Sequence, residues 1–280
     1  MWFVTDGGFI VALLGIALML AGVGLCLSNM HGWLGASMAS GILATGLLVL
    51  SVLTASAHWY TMTTNPGTVP KYVQVLAAPA SDDADAEHVP LQDEGTTLHC
   101  DLCDAARPRC VTHCDSCQGC ITMMDHHCPW VNNCVGVGNL KNFVLLLIYL
   151  FSTCVYMGSM TVAQVASCPE TCGLDDGKQP GKAGVAVMAV AFIFGALAAI
   201  MLILEVFSIH YDERIAWIVQ MTRAQDRRVK RATLTQKLGV LFGSATFRWH
   251  WLLPGRDVHR HRSAADMDFI LGYRPLFHES

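Results

Sequence analysis

Between Asp6 and Lys71 the chain contains no Asp, Glu, Lys or Arg. Over all 280 residues charged side chains make up 14%, whereas a soluble domain carries about 25%. The shortage is gathered into whole stretches, and the mean hydropathy is positive. That pattern excludes an ordinary soluble globule and predicts a membrane protein. A secretory leader is not expected, because no basic region opens the chain and the first apolar run has no clear cleavage site.

Four apolar stretches, about 9–28, 34–58, 143–166 and 183–208, reach the roughly 20 residues a helix needs to cross a bilayer. The first two are expected to form a hairpin, with a turn near Asn29, His31 and Gly32. The chain then divides into 1–60 (spans one and two), an acidic linker 61–97, a Cys-rich module 98–141, a region 142–210 (spans three and four with a loop 167–182), and a tail 211–280. Lys and Arg sort unevenly among these. Segments 1–8 and 29–33 have none, 59–141 has four, the loop 167–182 has two and the tail has twelve. With four spans, the module and the tail share one side, which the excess of positive charge marks as cytosolic. The expected fold is an α-helical polytopic membrane protein, with four transmembrane helices and a cytosolic Cys-rich module that binds zinc.

Eight of the twelve cysteines lie between Cys100 and Cys134. In a reducing cytosol such a cluster serves metal binding or catalysis rather than disulfides. Cys168 and Cys172 fall on the opposite side and can either pair or stay free thiols. The module runs Cys100-x2-Cys103, His113-Cys114-x2-Cys117-x2-Cys120, His126-His127-Cys128 and Cys134. Cys-x2-Cys knuckles with His supply the four sulfur and nitrogen donors that zinc takes as a tetrahedron. The segment has little apolar content, so zinc would supply much of its folding free energy. Eight Cys and four His (His99, His113, His126, His127) suffice for two closed sites, but spacing does not partition them. A module in which every Cys is a structural ligand stays open at this level.

Read in full, the module resembles the DHHC protein S-acyltransferases, or palmitoyltransferases. The resemblance rests on Cys100-x2-Cys103, Arg107-Pro108, His113-Cys114-x2-Cys117-x2-Cys120-x4-Asp125-His126-His127-Cys128-Pro129-Trp130-Val131-Asn132-Asn133-Cys134 and Asn139-x3-Phe143. Asn65-Pro66-Gly67 stands where the family has Asp-Pro-Gly. In the tail, Leu241-Phe242-Gly243 and Trp251-Leu252-Leu253-Pro254 match its aromatic motif, with Lys237 in place of an Asn. Cys110 replaces an expected Arg, and the family's Thr-Thr-x-Glu has no good counterpart.

The resemblance implies two structural zinc ions. One is held by Cys100, Cys103, His113 and Cys120, the other by Cys114, Cys117, His127 and Cys134. It leaves Cys128 free as nucleophile, with His126 as its base and Asp125 orienting that base, and makes Cys110 an extra thiol. It implies acyl-CoA (palmitoyl-CoA) as co-substrate, and membrane-associated proteins with cytosolic cysteines as partners at the lipid bilayer of the Golgi, the ER or the plasma membrane. Trp130, Arg107 and Arg109 are the expected contacts to acyl-CoA, and Lys141 is a further cation that can meet its phosphates. Residues near Thr153 are expected to bound the far end of the acyl chain. The basic run Arg223, Arg227, Arg228, Lys230 and Arg231 is read as facing an anionic leaflet, and nucleic acid is not an expected partner. A zinc module without catalysis, or a channel, would share the spans but not the need for His126 and Cys128 together.

Overall fold

The computed structural model describes residues 4, 7–70, 73–75, 98–107, 111–167, 181–211, 233–244, 246–255 and 273–275. Arg109, Cys110, Cys168, Cys172, most of the acidic linker and the basic run 223–231 lie outside the described residues.

Four long helices carry the apolar stretches: α1 Gly8–Leu34, α2 Met38–Thr63, α3 Leu140–Ala166 and α4 Gly181–Tyr211. Each is long and apolar enough to cross a membrane. At 1.5 Å per residue, helices of this length extend about 40 Å, more than the roughly 30 Å of a hydrocarbon core.

Most helix ends run past the expected bounds, whereas α2 begins at Met38, later than the expected 34, and the ends show why. Nothing in Asn29–Trp33 breaks a helix, so α1 continues to Leu34 and stops at Gly35, whose φ of 59° suits glycine. Ser37 then caps α2, its Oγ accepting from Ser40 N at 3.1 Å. The turn therefore lies at 35–37 rather than at Asn29–Gly32. Helix α3 starts at Leu140, three residues early, because Lys141 and Asn142 are buried against the tail instead of facing water.

Helix α3 packs against the other three helices, most extensively α4 and α2. Leu47, Cys154, Met157 and Val187 are buried at the middle of the bundle. Within it, Thr54 Oγ1 and Thr153 Oγ1 meet at 3.1 Å, each also 2.8 Å from a carbonyl of its own helix, Leu50 O or Tyr149 O, so one hydroxyl donates across while the other donates to its own carbonyl. Polar contacts of this kind join helices where lipid offers no alternative partner.

The module is built from short antiparallel hairpins. Strand β2 (Leu98–Cys100) pairs with β3 (Ala105–Arg107) as the first of them; outside the module, β1 (Val73–Val75) pairs with β8 (Tyr273–Pro275) of the tail. Strands β4 (Val111–Cys114) and β5 (Gly119–Thr122), then β6 (His126–Cys128) and β7 (Asn133–Val135), form the other two hairpins. Val131, Val135, Val137, Phe143 and Leu145 join the module and the helix ends into one core.

Two carboxamides fix the module to α2. Asn133 Nδ2 donates to the carbonyls of Thr61, Met62 and Thr64, and Asn139 Nδ2 to those of Thr61 and Cys134. They satisfy the open carbonyls at the helix C-terminus, which have no partner within the helix. The Asn65-Pro66-Gly67 turn lies against the same corner. Asn65 Oδ1 accepts from Gly67 N, Thr68 N and Thr68 Oγ1 at 2.8–2.9 Å, as an aspartate there would. Gly138 has to be glycine, because a Cβ would lie 2.2 Å from Asn65 O.

The tail returns to the bundle through α5 (Leu234–Leu241). Lys237, buried, donates from Nζ to His210 O at 2.5 Å near the end of α4. A cation suits a helix C-terminus. Leu241, Phe242 and Trp251 are buried in the core shared with the module.

Candidate functional site

The module carries a period of fourteen residues. Cys100, Cys114 and Cys128 stand fourteen apart, and so do Cys103, Cys117 and Val131. The structure obeys this period: each of the three hairpins turns through a non-glycine residue with positive φ, Asp104 at 49°, Gln118 at 52° and Asn132 at 47°. His113 and His127, and Cys120 and Cys134, complete the first two units. In the third, the positions fourteen beyond His127 and Cys134 are Lys141 and Ile148. The sequence held this signal, but ligand chemistry conceals it, since only the first position of the third unit is still a cysteine.

Two quartets close. Cys100, Cys103, His113 and Cys120 converge, as do Cys114, Cys117, His127 and Cys134. His113 Nδ1 lies 3.5, 3.2 and 3.9 Å from the sulfurs of Cys100, Cys103 and Cys120. His127 Nδ1 lies 3.7, 3.4 and 3.7 Å from those of Cys114, Cys117 and Cys134. A tetrahedral zinc with its usual bond lengths gives sulfur–nitrogen edges of about 3.6 Å and sulfur–sulfur edges of about 3.8 Å. The donor sets therefore fit zinc as closed sites with no open position.

The converging thiols perturb one another. Burial, and then the sulfurs of Cys100 and Cys103, push the Cys120 thiol up to about 12. The hydrogen bond with Cys134 and contact with His127 outweigh burial and draw Cys117 down to about 5, while Cys134 is raised by the same pairing with Cys117 and by burial. Neighbouring thiolates repel one another, and a divalent ion removes that conflict. His99 belongs to neither quartet. It is exposed, with its ring nitrogens 3.3 Å from Asp101 and 3.6 Å from Asp104.

Cys128 lies outside both quartets, at the end of β6 and buried. His126, two residues before it, holds Asp125 Oδ2 at 2.7 Å through Nδ1. The carboxylate oxygen accepts, so Nδ1 carries the hydrogen and Nε2 is the nitrogen left for chemistry. That Nε2 is buried with no hydrogen-bond partner. Burial opposes charge on the ring, but Asp125 and Cys128 outweigh it and push His126 up to about 10. The thiol is thus near enough to favour the imidazolium without meeting hydrogen-bond geometry. Phe143 braces the ring edge-on, with centroids 5.3 Å apart. Asp125 N donates to Val135 O at 2.9 Å, fixing the acid to the paired strand.

Below Cys128 the helices line a partly open apolar cavity of about 140 Å³. All four helices line it, from Cys128, Trp130 and His58 down to Thr153 and Met157. Trp130 sits at its upper end, edge-on to Phe194 of α4 at 6.2 Å. His58, which sequence reasoning did not single out, binds Trp130 O through Nε2 at 2.8 Å and so ties α2 to the Cys128 turn. No motif spacing points to it, because it lies on a span, 72 residues before Trp130.

Arg107 joins the first hairpin to the second, donating to Val111 O of β4 and, at 3.5 Å, to His99 O of its own hairpin. Lys141 is not a phosphate-facing cation. It is buried and donates to His250 O at 2.5 Å.

Residues 93–218 match the family model of the DHHC palmitoyltransferase domain. Among curated proteins, the chain is similar to Palmitoyltransferase ZDHHC15 of Xenopus laevis, 36% identical over 129 residues, which is 46% of this chain and 35% of that one. It is 30% identical over 119 residues to Palmitoyltransferase ZDHHC7 of Mus musculus, covering 42% of this chain and 36% of the relative. Palmitoyltransferase ZDHHC20-A of Danio rerio is 41% identical over 70 residues, 25% of this chain and 19% of its own. The chain spans about a third or less of the length of these relatives.

Proposed function

We propose, on the match of residues 93–218 to the DHHC palmitoyltransferase domain, that the chain is a DHHC-type protein S-palmitoyltransferase. The observation that carries the reading is the Asp125–His126 pair beside Cys128, a cysteine outside both metal quartets and set above an apolar cavity.

The reaction runs in two thioester exchanges. The Cys128 sulfur attacks the carbonyl carbon of palmitoyl-CoA, the bond from that carbon to the CoA sulfur breaks, and CoA leaves as a thiol. The imidazolium of His126 returns the proton that the Cys128 thiol gave up. The thiol of a membrane-associated protein then attacks the carbonyl carbon of the acylated Cys128, its proton passing to His126; the bond from that carbon to the Cys128 sulfur breaks, Cys128 leaves and recovers the proton from His126, and the substrate departs as the thioester. An imidazole beside a thiol can take its proton as the sulfur attacks, and the thiolate is the reactive form. Asp125 holds the tautomer that makes Nε2 the working nitrogen.

The two zinc ions act as structural staples: both donor sets are closed, so neither offers a position to substrate. They hold the hairpins that present Asp125, His126 and Cys128. The acyl chain occupies the cavity, with Trp130 at its mouth and Thr153 at its far end. Arg107 and Arg109 bind the CoA phosphates. Two of the five guanidinium donors of Arg107 serve carbonyls, which leaves the others for phosphate. The excess of Lys and Arg on the module and tail side supports a cytosolic site, in an endomembrane (Golgi or ER) or the plasma membrane.

The test is acyl labelling of the purified chain from palmitoyl-CoA. Label that hydroxylamine removes is expected on the parent and absent from Cys128→Ser at unchanged zinc content. Full labelling of the variant would refute the assignment.

A further inference from the structure

The tail turn at 246–255 shows two opposite faces. One is packed: Trp251 is buried, 4.9 Å from the Phe242 ring and 5.8 Å from Phe247, and its Nε1 donates to Ser244 Oγ at 2.6 Å. The other face is bare. Trp249 is 79% exposed, Phe247 61%, Leu253 57% and Leu252 41%. Large apolar side chains exposed side by side mark a contact surface.

Hydrogen bonds to α3 give the level of this surface. Lys141 Nζ donates to His250 O, and Asn142 exchanges two bonds with Gly255, at 2.9 and 3.1 Å. Farther along the helix, the Tyr149 hydroxyl donates to Leu252 O. Helix α3 has 27 residues, about 10 Å more than a hydrocarbon core requires, or some seven residues. The surplus lies at the module end. Residues 140–147 are all buried in protein, and outward apolar exposure starts at Ile148 and recurs at Phe151 and Val155. The bilayer boundary on α3 therefore falls near Tyr149, a residue type that favours that boundary, and Tyr149 is the residue that holds Leu252.

We infer that residues 247–253 are an in-plane anchor whose partner is the lipid surface of the module-side leaflet, with Phe247, Trp249, Leu252 and Leu253 lying among the lipids. Two features suit the turn to that place. A backbone entering an apolar layer needs its carbonyls satisfied by protein, and Lys141, Tyr149 and Asn142 satisfy those of His250, Leu252 and Gly255. Arg248, exposed between Phe247 and Trp249, can meet lipid phosphates while its neighbours insert. The anchor ties the helix that follows the Cys128 hairpin to the membrane surface, independently of any catalytic role.

The test uses the full chain in phosphatidylcholine nanodiscs with a photo-crosslinking residue, Trp249→benzoylphenylalanine. Lipid adducts are read by mass spectrometry of the peptide that contains position 249. The same substitution at Phe192, 76% exposed within α4, and at Leu102, 73% exposed in the module, gives the lipid and solvent references. Lipid adducts at 249 are expected at least about tenfold above those at 102 and within severalfold of those at 192. A yield equal to that at 102, or a crosslinked dimer in place of lipid adducts, would overturn the inference. A second probe, Leu253→benzoylphenylalanine, covers loss of folding at 249: a properly folded chain without lipid adducts at 253 would overturn it equally.

Discussion

The second and third hairpins of the module share a frame and differ in chemistry. Both run strand, turn, strand, with a left-handed residue, Gln118 or Asn132, at the same point. In the second, Cys114 is joined by Cys117, His127 and Cys134. In the third, Val131 replaces the second sulfur and is fully buried. Lys141 and Ile148 occupy the two remaining ligand positions; Lys141 holds the tail, and Ile148 faces outward. Cys128 thus stands at the position that the first ligand takes in the other two units, while the other three positions of its unit carry no zinc donor. A metal-binding frame places a sulfur rigidly, and removal of its partners leaves that sulfur free to react. Where the second hairpin has the donors for an ion, the third has Asp125 and His126 beside the sulfur and a cavity beneath it.

Making the second hairpin resemble the third should have the largest effect. Cys117→Val removes one ligand from a closed quartet, and a structural zinc contributes on the order of 10 kcal/mol to the folding of a small module. Zinc content, read by atomic spectroscopy, should fall from two ions to one per chain. Acyl labelling should drop roughly 100-fold or more, because the hairpins that carry Asp125 and Cys128 pack on that site. Far-ultraviolet circular dichroism should retain its helical signal, since the spans do not depend on the ion. A variant that keeps both ions would show that the second quartet tolerates a missing sulfur.

The reverse exchange should have a smaller effect. Val131→Cys returns a sulfur to the place that Cys103 and Cys117 occupy, with Cys128 three residues before it. A trivalent arsenical that bridges two close thiols should then block acyl labelling at a concentration about tenfold below that needed for the parent, as two-point attachment raises effective affinity. Equal sensitivity of parent and variant would mean that the third turn does not hold its side chains as the other two do.

The contrast also separates what the sequence disclosed from what it withheld. The four spans are legible because charge is absent from whole stretches. The quartets are legible through Cys and His spacing combined with the family resemblance. The Asp125–His126–Cys128 group is local, so adjacency in sequence delivers adjacency in space. The fourteen-residue period was less visible because two of its three ligand positions beyond Cys128 carry apolar side chains and the other a lysine. Contacts between segments were not legible at all. Asn133 and Asn139 cap α2 across about seventy residues, and His58 reaches Trp130 across a similar gap. Lys141 looks like a solvent-facing cation in sequence, and only the returning tail makes it a buried donor. Helix ends failed for a related reason: α1 continues until Gly35 because no residue before it ends a helix.

The cavity gives the last and smallest test, directed at what the third hairpin has in place of an ion. Thr153 is fully buried on α3, lines the cavity and touches Thr54 of α2. Thr153→Phe would extend a ring into the far end of the space below Cys128. Each methylene denied burial costs about 0.8 kcal/mol, roughly fourfold in binding. Competition between acyl-CoA chains of different length, read as the ratio of labels on Cys128, should therefore move toward shorter chains by about fourfold for each methylene excluded. Zinc content should stay at two and total labelling close to the parent value, because the change lies far from both quartets and from His126. An unchanged chain-length ratio in a variant with full activity would mean that the acyl chain does not reach Thr153, and that the third hairpin opens onto a different path through the bundle.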